Sequence, residues 1–175
     1  MSNKPVEIRI LQKSDDRSLF FSGNIELDRF FQLYAGQNQF RHHIGTSYVA
    51  VIGNKISGFA TISTGEITAE TLSKNLRKRL PNYPLPILRL SRLAVDNQFQ
   101  GQGLGKQLLK AVFKLAIEMR QQYGCVGIVV DAKPEAIAFY HSLGFSALEL
   151  VSGQLEDRPQ PVSMFLACSV FEKLI

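Results

Sequence analysis

Two hydrophobic periods succeed one another along this chain, and the places where one gives way to the other mark its elements. Over 6–11, Val6, Ile8 and Ile10 alternate with Glu7, Arg9 and Leu11, the two-residue period of a half-buried strand. Ser14, Asp15 and Asp16 make a loop with capping residues. After Ser22-Gly23-Asn24, the residues Ile25, Leu27, Phe30, Phe31 and Tyr34 recur at helical spacing. That spacing predicts a helix over 26–35, followed by a second over 36–41. The β-branched run 46–52, the turn Gly53-Asn54-Lys55 and the run 57–67 predict a hairpin.

The next stretch, 68–80, reads as a helix that is polar on most sides. Pro81, Pro84 and Pro86 then force an extended connector over 81–86. A strand follows over 87–95. A strongly amphipathic helix over 104–121 comes next, with Leu104, Leu108, Val112, Leu115 and Met119 on its inward stripe. A short buried strand is predicted over 126–130. Pro134 opens another helix, whose inward face is Ala136, Phe139, Tyr140 and Leu143 and which Gly144 stops. A last strand is predicted over 162–170, and the intervening 149–161 is undiagnostic. Strands alternating with helices, without repeats or a linker, imply a mixed α/β fold in a single domain over 1–175.

Composition changes this picture little. Apolar residues make up 45% of the 175 and charged residues 20%, which excludes disorder. The excess of Lys plus Arg over Asp plus Glu, 20 against 15, gives a net charge of +5 and favours anionic partners. Cys125 and Cys168 sit in apolar, strand-like runs with no metal-binding spacing around them, and read as reduced core thiols. The N-terminus lacks the apolar core of a signal peptide, and no segment approaches the ~18 unbroken apolar residues of a membrane helix. A soluble, cytoplasmic protein with no metal is the expectation.

The chemistry concentrates at Gln100-Gly101-Gln102-Gly103-Leu104-Gly105-Lys106, between the strand 87–95 and the helix 104–121. Glycines at such a junction let backbone approach a ligand closely. The free N–H groups of the helix's first turn favour an anion, so the stretch reads as a phosphate cradle. Two familiar phosphate motifs fail on single residues. The dinucleotide fingerprint G-x-G-x-x-G counted from Gly101 meets Lys106 at its last position, and counted from Gly103 meets Leu108. The P-loop needs Gly where Gln100 stands, and Ser or Thr where Gln107 stands.

The pattern that fits is (Arg/Gln)-x-x-Gly-x-(Gly/Ala). With Leu93-Ala94-Val95-Asp96 upstream and Ala138-Phe139-Tyr140-His141-Ser142-Leu143-Gly144-Phe145 downstream, the chain resembles the GNAT superfamily of acetyl-CoA-dependent N-acetyltransferases. Phe21-Ser22-Gly23-Asn24, Leu27-Asp28-Arg29-Phe30 and Tyr34-Ala35-Gly36-Gln37-Asn38-Gln39 narrow the resemblance to the GNAT toxins of toxin–antitoxin modules. Leu80-Pro81-Asn82-Tyr83-Pro84 and Ser91-Arg92-Leu93 extend it, although Ser91 stands where such proteins often have Gly.

The resemblance implies a GNAT acyltransferase fold with acetyl-CoA as cosubstrate. Its pyrophosphate would lie on the backbone of Gln100, Gly101, Gln102, Gly103, Leu104, Gly105 and Lys106. Backbone N–H groups of Leu93, Ala94 and Val95 would hold the thioester carbonyl, and Asp131 and Phe139 would lie beside the cosubstrate. Tyr140 would be the general acid for the departing thiolate. An aminoacyl α-amine, with a pKa of ~8, needs no strong base, and Glu66 and His141 are weak candidates for one. Arg77, Lys78, Arg79, Arg89 and Arg92 fall in a stretch free of Asp and Glu, and Arg41 adds a second basic spot; these are the candidate contacts for tRNA phosphates. Such proteins acetylate the α-amine of aminoacyl-tRNA, pair with a small DNA-binding antitoxin, and are often dimers. A GNAT enzyme acting on a small-molecule or protein amine, and a non-catalytic acetyl-CoA-binding module, are the competing readings.

Overall fold

The computed structural model describes residues 4–148 and 162–174. The undiagnostic segment 149–161 and the first three residues of the N-terminal stretch lie outside the described residues. Among the described residues seven strands, β1 Val6–Ile10, β2 Thr46–Ile52, β3 Lys55–Ile67, β4 Leu85–Val95, β5 Gly127–Ala132, β6 Ser146–Ala147 and β7 Val162–Ala167, follow the sheet order β1-β2-β3-β4-β5-β7-β6. The chain forms two compact units, Met1–Ser63 with Leu90–Val112 and Thr64–Arg89 with Phe113–Ile175. Among the described residues no helix is long and apolar enough to cross a membrane.

In the first unit β1 and β2 pair antiparallel, and β2 and β3 form the predicted hairpin, with a register shift at Ala50/Val51. The first strand stops one residue early. Ile10 faces solvent and Leu11 is buried, so the inward alternation belongs to Leu11 rather than Ile10. The two helices predicted over 26–41 are one uninterrupted helical run: α1 Ile25–Arg29, a π segment Phe30–Tyr34, α2 Ala35–Gln37 and a second π segment Asn38–His42. Asn24 caps it, its side-chain oxygen accepting from Leu27 N. Gly36 does not break the run, because it and Ala35 are small residues buried in the helix.

Adjacent Phe30 and Phe31, both in the first π segment, are both buried. Phe31 stacks on Phe59 at 4.3 Å between ring centroids, with Phe20 edge-on to both, and these rings centre the core of this unit. Its second polar tie is the buried Gln39, which donates to Leu11 O and accepts from Ser47 N.

In the second unit the polar helix predicted over 68–80 is absent. There are only a 3₁₀ turn at Ala69–Thr71 and a single helical turn, α3 Lys74–Arg77. Extended backbone at Leu72 and Ser73 divides the stretch into these two short turns. Instead Ala69 and Leu72 are buried with Ile67, Leu85, Ile87, Val129 and Phe165, and Leu76 and Leu80 pack against them. The long helix, α4 Leu104–Gln122, starts in the first unit and ends in the second, where Phe113 stacks on Phe171 at 4.6 Å.

The last predicted strand is too long. β7 stops at Ala167 and the chain turns into α6 Cys168–Phe171. Cys168 and Phe171 are buried while Val170 is exposed, a three-residue period that a strand cannot satisfy. Cys125 likewise precedes β5 rather than lying in it. β6 is only two residues long, too short to show in a hydrophobic pattern.

Candidate functional site

Both units carry candidate site residues. In the first, β4 runs into a 3₁₀ turn at Asn97–Phe99 and then into the glycine turn. Gly101 and Gly103 both have φ of +80°, a left-handed conformation that costs a residue with a side chain ~1–2 kcal/mol. A Cβ at either position would meet no protein atom within 4 Å, so the space above the turn is open. Gln107 N donates to Gly103 O at 3.2 Å. The N–H groups of the first turn before it have no partner within the helix and lie at the positive end of its dipole. Leu104 is buried and anchors the helix start through its side chain, leaving its backbone to face the turn; Lys106 is exposed.

Gln100 does more than the sequence reading assigns to it. Its side-chain amide donates to Ser22 O at 2.8 Å and to Val95 O at 3.0 Å, pinning the start of the turn from both sides. Ser22 is itself fixed, since its N and Oγ donate to Asp28 Oδ1 at 2.8 and 2.7 Å. The buried Asp96 accepts from Phe21 N and Gln98 N, and Asn97 N donates to Phe21 O. Ser22, Asp28 and Asp96 thus position the turn. The sequence names these residues without giving them a role, because nothing local reveals a partner 78 positions away.

Leu93, Ala94 and Val95 lie at the end of β4 beside this turn, with Ala94 buried and the other two half-buried. A pocket of about 190 Å³ opens in the same unit, lined by Phe30, Asn38, Ser47, Thr61, Ser91 and Arg92 among others. The Arg92 guanidinium lies over the Phe30 ring at 3.7 Å. Ser47 and Thr61 share a hydrogen bond of 2.7 Å, and Ser91 Oγ donates to Thr61 O. Among the described residues the lining carries one cation, several hydroxyls and no carboxylate.

In the second unit Tyr140 sits on α5 Ile137–Ser142, which follows the 3₁₀ turn opened by Pro134. Its ring is buried, edge-on to Phe139 at 5.2 Å and to Phe145 at 5.4 Å. Burial pushes its phenol up to about 12, so the group is a protonated donor across the physiological range. Glu66 and His141 are both exposed.

The basic residues behave unequally. Arg89, read as a phosphate contact, donates to both Asp131 carboxylate oxygens at 3.0 and 3.1 Å, and Ser163 Oγ donates to the same carboxylate. Arg89, read as a contact for nucleic acid, and Asp131, read as a cosubstrate neighbour, are thus ion-pair partners, each about a third exposed. Arg92 is half-buried, with its guanidinium over Phe30 beside the pocket. Arg77 donates to Leu72 O through Nε and Nη2. Arg41, Lys78 and Arg79 are exposed.

The chain's likeness to characterised proteins agrees with these features. The family described as acetyltransferase (GNAT) domain matches residues 43–147. A tRNA-acetylating toxin of Mycobacterium tuberculosis is 32% identical over 140 residues, covering 78% of this chain and 82% of that protein. The structure of AtaT complexed with acetyl-methionyl-tRNAfMet is similar with a TM-score of 0.83 at 25% identity, covering 97% of this chain and 99% of that one. The structure of AtaTR bound with AcCoA is similar with a TM-score of 0.78 at 27% identity, covering 97% of each chain.

Proposed function

Because the chain belongs to the GNAT acetyltransferase family, we propose that it transfers the acetyl group of acetyl-CoA to the α-amine of an aminoacyl-tRNA and so blocks translation. The observation that carries the donor half is the open glycine turn at the head of α4, whose backbone N–H groups suit a pyrophosphate. The acceptor half rests on the likeness to the tRNA-acetylating toxin and on the exposed cations Arg41, Lys78 and Arg79.

In this reading the backbone of Gln100 to Lys106 holds the diphosphate, with Gln100 fixing the start of the turn. Backbone N–H groups at the end of β4, around Leu93, Ala94 and Val95, stabilise charge on the thioester oxygen. The amine attacks directly, without an enzyme nucleophile. Tyr140 donates a hydrogen bond, and then a proton, to the departing thiolate. Phe139 and Asp131 lie beside the bound cosubstrate. The whole chain works as one acetyltransferase domain, as a homodimer in the cytoplasm, held in check by a small DNA-binding antitoxin.

The pocket beneath Arg92 weighs against the main rival. A polyamine acceptor brings a second positive charge, and walls that among the described residues carry a guanidinium and no carboxylate disfavour it. Incubation with acetyl-CoA and charged tRNA should give N-acetylaminoacyl-adenosine after nuclease digestion. Acetylation of a polyamine or a protein amine, with no product on any charged tRNA, would overturn the proposal.

A further inference from the structure

We propose that Cys125 and Cys168 form a hydroperoxide-reactive dithiol that closes to an intramolecular disulfide. They are the two cysteines of the chain and lie 43 residues apart, yet the second unit brings their sulfurs to 4.0 Å. Both line a pocket of about 240 Å³ with Leu80, Phe165, Arg79 and Arg120, large enough to admit a small peroxide to otherwise buried thiols. The backbones are already joined beside the pair, with Cys168 N donating to Val126 O at 3.0 Å. Closure to the sulfur–sulfur distance of about 2.0 Å needs the two sulfurs to approach by about 2 Å.

The pair is chemically unequal. The Cys168 thiol donates to Cys125 Sγ, and the Cys125 thiol donates to Gly127 O at 3.3 Å. The hydrogen bond from Cys168 holds Cys125 below the usual thiol range. The same contact, together with burial, pushes Cys168 up. Arg120 also pairs with Glu172 at 2.7 Å, which fixes the guanidinium near the pocket. Cys125 is thus the attacking sulfur and Cys168 the resolving one.

The reaction balances with a hydroperoxide as oxidant. The Cys125 thiolate attacks the peroxide, the O–O bond breaks as an S–O bond forms, and the leaving oxygen departs protonated as water or an alcohol. Cys168 then attacks the sulfenic sulfur. The S–S bond forms, the S–O bond breaks, and hydroxide leaves as water with the Cys168 proton. Two thiols lose two electrons and two protons. The site is independent of the acetyl-transfer reading.

The test treats the reduced full-length protein with hydrogen peroxide under native conditions. Expected are loss of both titratable thiols, a mass decrease of about 2 Da, a cross-linked peptide pair containing Cys125 and Cys168, and full reversal by dithiothreitol. In Cys168→Ser, dimedone should label Cys125 instead. Retention of both thiols in the folded wild type, disulfides only between molecules, or irreversible acids without a cross-link would each overturn the proposal.

Discussion

The Gln100 side-chain amide reaches back 78 residues to the carbonyl of Ser22, at 2.8 Å, and ties the glycine turn to the segment that leads into the Asn24 cap. The turn owes its glycines to backbone conformation, but its placement to this bond and its companion to Val95 O. Gln100→Ala should therefore raise the KM for acetyl-CoA about fivefold, the equivalent of ~1 kcal/mol for a net hydrogen bond. The effect on kcat and on the thermal midpoint should be small, because Gln100 is exposed. Steady-state kinetics over both substrates checks the split. A change in kcat alone would mean that the bond serves something other than cosubstrate binding.

Glycines of two kinds should respond differently to alanine. At Gly103 a Cβ meets no protein atom, so the cost is the left-handed backbone, ~1–2 kcal/mol of stability. Acetyl-CoA affinity should fall in addition, as the methyl crowds the anion. At Gly127 a Cβ would lie 2.4 Å from Leu166 O, and the β5–β7 pairing has no room to yield. Gly103→Ala should fold and bind weakly; Gly127→Ala should fail to accumulate as folded protein. Thermal melts with isothermal titration of acetyl-CoA distinguish the two.

Tyr140→Phe keeps the ring between Phe139 and Phe145 and deletes only the hydroxyl. Acetyl transfer should drop by ~10²–10⁴-fold with acetyl-CoA binding and stability nearly unchanged. The pH profile gives a second reading. Below the α-amine pKa of ~8 the acceptor is protonated, so the rate rises with pH and then levels. The Tyr140 phenol, pushed up to about 12 by burial, stays protonated through that range. No alkaline decline near pH ~10, the ordinary phenol value, should appear in the wild type. A decline there that vanishes in Tyr140→Phe would contradict the buried environment of the ring.

Arg89 and Arg79 should separate structure from nucleic-acid contact. Arg89→Gln breaks a half-buried ion pair with Asp131 and should cost ~1 kcal/mol, largely recovered in the cycle with Asp131→Asn. Its effect on the KM for charged tRNA should not vary with salt. Exposed Lys78 and Arg79, changed together to Glu, should raise that KM most at low salt and flatten its rise with added salt, while acetyl-CoA affinity holds. Equal salt dependence in both variants would remove the distinction.

The sequence by itself determined the features that local chemistry encodes. The glycine turn, the helix that follows it, the hairpin 46–67 and the position of Tyr140 ahead of Gly144-Phe145 were all legible, because each depends on residues within a few positions of one another. Hydrophobic period also marked β4, β5 and α4 to within one or two residues. It failed where burial came from elsewhere. The stretch 68–80 spaces Ala69, Leu72, Leu76 and Leu80 as a helix would, yet extended backbone at Leu72 and Ser73 splits it, and those residues serve the core from short turns. Cys168 and Phe171 look like strand residues until both must face inward three positions apart.

Only the tertiary structure decided the pairings. Arg89 and Arg79 are indistinguishable as letters in one basic run, yet one finds Asp131 42 residues on, and the other stays exposed. Gln100 with Ser22, Cys125 with Cys168 and Arg92 with Phe30 were invisible for the same reason. A side chain's charge state, strength as a nucleophile and availability to a ligand depend on what folding places within a few ångströms of it, and sequence distance carries no record of that.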